Sequence, residues 1–284
     1  MTVIDDTDGL AGRLAEAFPD LGAPMLTRLG AGWASDVFVT DGGLVVRVGR
    51  NDWAWRSFEL EQRLLPAIAP HLPVEVARIT HLAGPDERFP LGVAVHRMIE
   101  GDAATPADMT PALAADVGAF LAALHRVPLD VARGAGVRAL ETRRQVAAWA
   151  PEADVLIEDD TVRAALRDWA RGVHDGSRFS GGATVLCHFD AWCENLILRD
   201  GALAGVLDFG DATLAAPAAE FAALSYYGPA FLDAAIEGYR HAGGASAVHL
   251  DEVRDHLVYR ELRGVTGATP AELPDELPKL RRAL

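Results

Sequence analysis

Three oxygen-bearing side chains, Asp190, Asn195 and Asp208, fall within one stretch of nineteen residues. The stretch begins Cys187-His188-Phe189-Asp190-Ala191-Trp192-Cys193-Glu194-Asn195 and continues to Val206-Leu207-Asp208-Phe209-Gly210-Asp211. An amide and a carboxylate together suit a hard cation such as Mg2+, which keeps waters and completes its shell on phosphate oxygens. A carboxylate in a loop, with no packing duty of its own, suits proton acceptance from a hydroxyl. The same residue types also make turns and caps, so their spacing has to decide.

The spacing follows from the elements around them. Asn195 to Leu198 and Ala204 to Leu207 read as two strands joined through the turn Arg199-Asp200-Gly201-Ala202. A turn centred on Asp200-Gly201 or on Gly201-Ala202 sets residue 193 or 195 opposite Asp208. Asn195 and Asp208 then emerge at the same end of the hairpin. Opposed side chains lie about 4.5 to 5.5 Å apart, close enough to share one cation. Ala183 to Cys187 reads as a short buried strand that delivers His188.

The first third of the chain has a different texture. Leu10 to Phe18 carries apolar residues at helical spacing and stops at Pro19. Short β runs punctuated by glycine follow from Met25, a pattern that predicts a three-strand antiparallel meander ending in Leu44-Val45-Val46-Arg47-Val48. Between its first two strands, Gly30-x-Gly32-x-x-Ser35 lets the backbone approach a ligand and point amides at phosphate, though glycine-rich hairpins are also common as plain turns. Arg47 among valines needs solvent or a buried anion. The helical stretch Trp53 to Ala69 offers Glu61, which lies on the same stripe as Phe58, Leu64, Leu65 and Ile68. An acid on an apolar stripe calls for a partner, and Arg47 is the natural one; two unrelated surface charges are the alternative.

Further strands are expected over Val76 to Leu82 and Leu91 to Ile99, ahead of an abrupt polar turn at Glu100-Gly101-Asp102. Helices are expected over Pro111 to Val127, Ala139 to Trp149 and Thr161 to Val173, with His125 reading as a C-terminal cap. The change from mostly β to mostly α places a boundary near residue 100, with residues 1–100 as one lobe and 101–284 as another.

Composition narrows the partners. With 284 residues, half of them apolar, the chain buries a sizeable core. Its 41 acidic residues against 26 Lys plus Arg give a formal charge of -15, which repels nucleic acid and anionic membranes and attracts cations. Acidity for solubility alone is the plainer reading. Cys187 and Cys193, the two cysteines, bracket no long loop, so a reducing compartment is expected. The first ten residues carry no basic or apolar targeting signal, and a cytoplasmic monomer without membrane contact is expected.

The ordered set resembles the protein-kinase fold, and His188-x-Asp190-x-x-x-x-Asn195 with Leu207-Asp208-Phe209-Gly210-Asp211-Ala212 is more similar to its aminoglycoside and macrolide phosphotransferase branch. The resemblance covers nearly the whole chain. It implies an α+β, bilobal protein-kinase-like fold, with an N-terminal antiparallel sheet lobe carrying one main helix and a larger, mostly helical C-terminal lobe. Asp190 is then the catalytic base, His188 the support of its loop, and Asn195 and Asp208 the Mg2+ ligands. The nucleotide, ATP or GTP, falls to Gly30, Gly32, Ser35, the pair Arg47 and Glu61, and the backbone at Arg97, Met98 and Ile99. The expected acceptor is a hydroxyl of a small cationic antibiotic, with a metabolic amino acid, amino alcohol or sugar as the alternative.

Three departures from the family pattern stand out: Arg47 in place of lysine, Ser35 closing the glycine loop, and Glu220 where an aspartate is usual. Acceptor recognition is expected from Asp211, Glu220, Asp233, Glu237, Asp251 and Asp255. The last two lie one helical turn apart, on one face, and a merely solvated face is the alternative.

Overall fold

The computed structural model describes residues 6–179, 183–244 and 247–284; the first five residues of the expected acidic start lie outside them. In chain order the helices are α1 (Thr7–Ala17), α2 (Asp52–Ile68), α3 (Pro111–His125), α4 (Leu129–Gly134), α5 (Thr142–Leu156), α6 (Asp160–Asp175), α7 (Ala218–Leu224), α8 (Pro229–His241), α9 (Leu250–Gly267) and α10 (Leu273–Ala283). The strands are β1 (Leu26–Ala31), β2 (Ser35–Thr40), β3 (Leu44–Gly49), β4 (Glu75–Val76), β5 (Ile79–Ala83), β6 (Val93–Arg97), β7 (Asp102–Ala103), β8 (Val185–Cys187), β9 (Leu196–Arg199), β10 (Ala202–Val206) and β11 (Thr213–Ala215). The fold is α+β and kinase-like, an N-terminal antiparallel sheet followed by a mostly helical remainder, as the motifs implied. Among the described residues no helix is long and apolar enough to cross a membrane.

The chain divides into two compact units, and both are discontinuous. One contains residues 1–109, 127–137 and 192–212; the other contains 110–126, 138–191 and 213–284.

In the first unit an antiparallel sheet runs in the order β1-β2-β3-β6-β5. Strand periodicity sorts β3 cleanly. Val46 and Val48 join Leu10, Leu14, Phe38, Val93 and Val95 in one apolar layer, while Arg47, between them, turns to α2 and its Glu61. Helix α2 starts where the Asn51 side chain accepts the amides of Trp53 and Ala54. It buries Ala54, Phe58, Glu61, Leu64, Leu65 and Ile68 along one stripe, and Pro66 sits in its last turn without ending it. Cutting Phe58 back to alanine there costs about 3 to 5 kcal/mol on the usual scale for buried aromatics.

A second sheet of this unit, β4-β10-β9-β7, was not legible in the sequence. It joins the hairpin to residues 75–76 by a parallel ladder and to residues 102–103 by an antiparallel one.

In the second unit β8 pairs with β11, Thr213 opposite Cys187. Helices α5, α6, α9 and α10 enclose a core that includes Trp169, Phe189, Tyr259 and Leu262. Helices α3 and α8 approach so closely that a Cβ at Gly118 would strike the Ala235 carbonyl, and one at Gly238 the Ala115 carbonyl. Small residues at these crossings let the two backbones nearly touch. That contact fixes the end of α3 and therefore His125.

Candidate active site

The candidate residues fall into two groups, one in each unit. In the first, the turn of the β9–β10 hairpin has Asp200 and Gly201 both at positive φ, 53° and 78°, the pair of values that a two-residue type I′ turn requires. The register then slips between Leu203 and Gly205, so that Val206 faces Leu196. Leu207 donates to the Asn195 carbonyl at 2.8 Å. Asn195 therefore stands opposite Leu207, and Asp208 one residue beyond. The expected partners of Asp208, residue 193 or 195, are corrected by this bulge, at which Gly205 is the only local signal. Asn195 is half-buried, at the end of a 3-10 turn spanning Cys193–Asn195.

Asp208 is held at φ 59°, in the left-handed region, and its side chain is 47% exposed. Phe209 behind it is fully buried. Gly210 follows because a Cβ there would collide with the Ser57 hydroxyl of α2. The expected pairing of Arg47 with Glu61 is present: Arg47 Nη1 donates to Glu61 Oε2 at 2.6 Å, and Nη2 reaches Asp208 Oδ1 at 3.5 Å. The guanidinium also stands 5.0 Å over the Phe58 ring. Burial opposes charge on Arg47, but Glu61 and Asp208 outweigh it and raise its pKa. Burial pushes the Glu61 carboxyl up to about 7 against the pull of Arg47. One fixed cation thus sits between a buried and a half-exposed carboxylate.

The glycine loop between β1 and β2 is tied down from α2's entry. Arg50 Nη1 donates to the Gly32 carbonyl at 3.1 Å, and Asn51 Nδ2 to the Trp33 carbonyl at 3.1 Å. Ser35 is buried, and its carbonyl receives the Gly32 amide at 2.9 Å, so Ser35 closes the loop instead of lying at its tip. A Cβ at Gly30 would meet open space. Of the segment Arg97–Ile99, the Met98 amide already donates to the Gly43 carbonyl at 3.0 Å, and the Arg97 carbonyl lies 2.9 Å from His96 Nδ1. Each of these two groups thus already holds one hydrogen bond within the first unit.

In the second unit, β8 delivers His188 and Asp190. Phe189, between them, has φ 70° and is buried. Glu220 lies on α7, and its two oxygens accept the amides of His188 at 2.7 Å and Phe189 at 2.9 Å. The Asp190 amide donates to His188 Nδ1 at 3.2 Å, which assigns the ring proton to Nε2. The His188 ring is thereby tied to the backbone of the loop that carries Asp190.

Glu220 is fully buried, so its assignment to a solvent-borne substrate is corrected: it is the anchor of the loop. Burial works against its charge, and the His125 ring, His188 and the Phe189 amide outweigh burial to hold its pKa below the usual carboxylate range. His125 is corrected as well. It is no helix cap but a buried ring, with Nδ1 2.9 Å from the Tyr239 hydroxyl and Nε2 3.8 Å from Glu220.

Arg260 was missed. From α9 its Nη2 donates to Asp190 Oδ1 at 2.7 Å and its Nη1 to the Phe189 carbonyl at 2.9 Å. Nothing in the sequence of α9 sets Arg260 apart from Arg254 and Arg263 of the same helix as the one with such a partner.

The other candidate acids separate by burial. Asp255 is buried, accepting from Trp169 Nε1 at 3.0 Å and from Arg178. It is a structural acid, so although Asp251 lies one turn away on α9 and is exposed, the two do not form a common solvent-facing pair. Asp233 and Glu237 are exposed on α8, Glu237 pairing with Arg240 at 3.2 Å, and Asp211 is half-buried.

Comparison with known proteins bears on the fold and the family. The model of the family described as phosphotransferase enzyme family matches residues 26–262. No curated protein matches the sequence. Among solved structures, the GDP and kanamycin complex of APH(2″)-IIia has a TM-score of 0.83 at 16% identity, covering 96% of this chain and 97% of that one. Macrolide 2′-phosphotransferase type I gives 0.77 at 21% identity over 98% of both chains. The apoenzyme of macrolide 2′-phosphotransferase MphH from Brachybacterium faecium gives 0.74 at 21%, covering 96% of this chain and 98% of that one. These likenesses establish the fold, and the family match goes further: the chain belongs to the phosphotransferase enzyme family.

Proposed function

We propose that the protein transfers the γ-phosphoryl group of ATP or GTP to a hydroxyl of a small cationic antibiotic, an aminoglycoside, macrolide or basic peptide, and so confers resistance. The observation that carries this reading is Arg47 held between Glu61 at 2.6 Å and Asp208 at 3.5 Å, a cation anchored beside an exposed carboxylate, as phosphate handling needs. One solved structure named above is a complex of a similar protein with GDP and kanamycin, and the net charge of -15 suits a cationic acceptor.

Asp190 accepts the proton of the attacking hydroxyl, with its loop held by His188 and Glu220. Arg47 neutralises phosphate charge, and the loop carrying Gly30 and Gly32 offers amides to the phosphates, with Ser35 closing it. Unengaged main-chain groups between Arg97 and Ile99 meet the purine. The half-buried amide of Asn195 and the exposed carboxylate of Asp208 form an oxygen-only donor set that fits Mg2+. That ion, when bound, spreads the charge of the phosphates and of the leaving group. Residues 1–100 serve the nucleotide and 101–284 catalysis and the acceptor, in a cytoplasmic monomer.

A metabolic kinase of the same fold, acting on an amino acid, amino alcohol or sugar hydroxyl, is the second reading. It is favoured by the burial of Glu220 and Asp255, which leaves four of the six candidate acids for a cation. Transfer of label from γ-labelled nucleotide to a panel of aminoglycosides, macrolides and basic peptides tests the proposal. Labelled antibiotic supports it; label appearing only on metabolites with free hydroxyls replaces it with the second reading.

A further inference from the structure

We infer that Arg260 is a positioning residue for Asp190, setting the carboxylate's direction and the path of the loop through a two-pronged hold. The inference rests on the reading of Asp190 as proton acceptor. The geometry behind it lies wholly within the second unit.

Arg260 differs from an ordinary surface partner in what it grips. Its two terminal nitrogens bind consecutive residues, the Phe189 carbonyl at 2.9 Å and Asp190 Oδ1 at 2.7 Å. Surface ion pairs contribute little because two flexible side chains must be frozen to make them. Here one end of the hold is main chain, and the side chains involved are only 21% and 26% exposed. A planar guanidinium fits two acceptors at a fixed separation, which an ammonium on a flexible stem does not.

The hold also explains the backbone. Phe189 sits at φ 70°, a costly conformation for a residue with a Cβ. Glu220 fixes the amide side of that residue, and Arg260 fixes its carbonyl side. The Phe189 ring packs 6.4 Å from Tyr259, the residue before Arg260. Tyr259 is itself buried and donates to Gln145 at 2.9 Å. Helix α9 therefore presents Arg260 from a fixed register. With both sides of Phe189 held, Asp190 leaves the loop in one direction, and orientation of this kind decides how often an acceptor hydroxyl and its base are correctly placed.

The test uses full-length Arg260→Ala and Arg260→Lys beside wild type and Asp190→Asn. With an accepted substrate, Arg260→Ala is expected to lower kcat about 10- to 100-fold while the nucleotide KM and Kd hold, the loss being one of orientation. Arg260→Lys, which restores one charged contact and not the fork, recovers part of kcat. Hydrogen exchange in the peptide spanning residues 187–191 is expected to quicken about tenfold in Arg260→Ala, through local opening of the loop. That readout needs no acceptor.

Wild-type kcat in Arg260→Ala, or unchanged exchange at 187–191, overturns the inference while leaving the phosphotransferase reading intact. Full turnover by Asp190→Asn overturns the reading of Asp190 instead. If Arg260→Ala does not fold, Arg260→Lys decides: wild-type kcat and wild-type exchange in that variant refute the need for a fork.

Discussion

Arg47 Nη1 lies 2.6 Å from Glu61 Oε2, across the gap between β3 and α2, and the same guanidinium points its other nitrogen at Asp208. One cation thereby connects the central strand of the sheet, its packed helix and the hairpin that carries the candidate metal ligand. Sequence periodicity supplied two of those three partners. The third depended on a tertiary contact.

Breaking this cluster has a cost that can be measured. Glu61→Ala leaves Arg47 without its buried partner, and removal of one member of a buried pair costs about 3 to 5 kcal/mol. A fall in Tm of roughly 10 °C is expected for a chain of this size, together with weaker nucleotide binding by calorimetry. An unchanged Tm means the pair is not structural.

Glu220 gives a second, separable outcome. Glutamine keeps one acceptor oxygen and turns an NH2 group toward the amide of His188 or Phe189. Glu220→Gln is therefore expected to lose about 2 to 4 kcal/mol of stability, because a buried amide is left unpaired. It should lower kcat while nucleotide affinity holds, since the loop it supports carries Asp190. Equal loss of nucleotide binding and turnover would place Glu220 in a general structural role.

Stability should fall in mild acid. Burial depresses His96 to about 4 and His256 to about 3, and the unfolded chain titrates these rings near 6.5. Below about pH 6.5 the unfolded state binds more protons than the folded one, so stability is lost as pH falls, until about pH 4 for His96 and about pH 3 for His256. Each ring contributes up to about 1.4 kcal/mol per pH unit. His256 Nδ1 has no hydrogen-bond partner among the described residues and its ring stacks edge-on against Phe179 at 4.6 Å, so His256→Phe removes the titration at little packing cost. Denaturant melts at pH 7 and pH 5 should show a smaller acid loss in His256→Phe. Equal losses in the two proteins would remove His256 from the account.

Much of the chemistry was legible because it follows from local rules. Amphipathic spacing put Glu61 on the inward stripe of α2, and β alternation put Arg47 on the opposing face. The Asp200-Gly201 pair marked the hairpin. What failed needed information that one sequence does not hold. The bulge at Ala204 shifted Asp208 by one residue against its partner strand; Gly205 beside it is the one local mark, and a lone glycine in a strand does not fix the register. Asp255 and Glu220 look like any other helix acids, and only packing against Trp169, or beneath the His188 amide, shows that they are buried. Arg260 lies seventy positions from Asp190, and contacts at that range are set by tertiary packing.

The central claim is that Asp190 takes the proton in a phosphoryl transfer from nucleotide to hydroxyl. Its most direct test is transfer of label from γ-labelled ATP and GTP to an antibiotic panel by wild type and Asp190→Asn, with nucleotide affinity measured on both. The account expects labelled antibiotic with wild type, loss of at least about a thousandfold in kcat for the variant, and equal nucleotide affinity. Comparable turnover by Asp190→Asn, or no labelled acceptor from wild type, would contradict it.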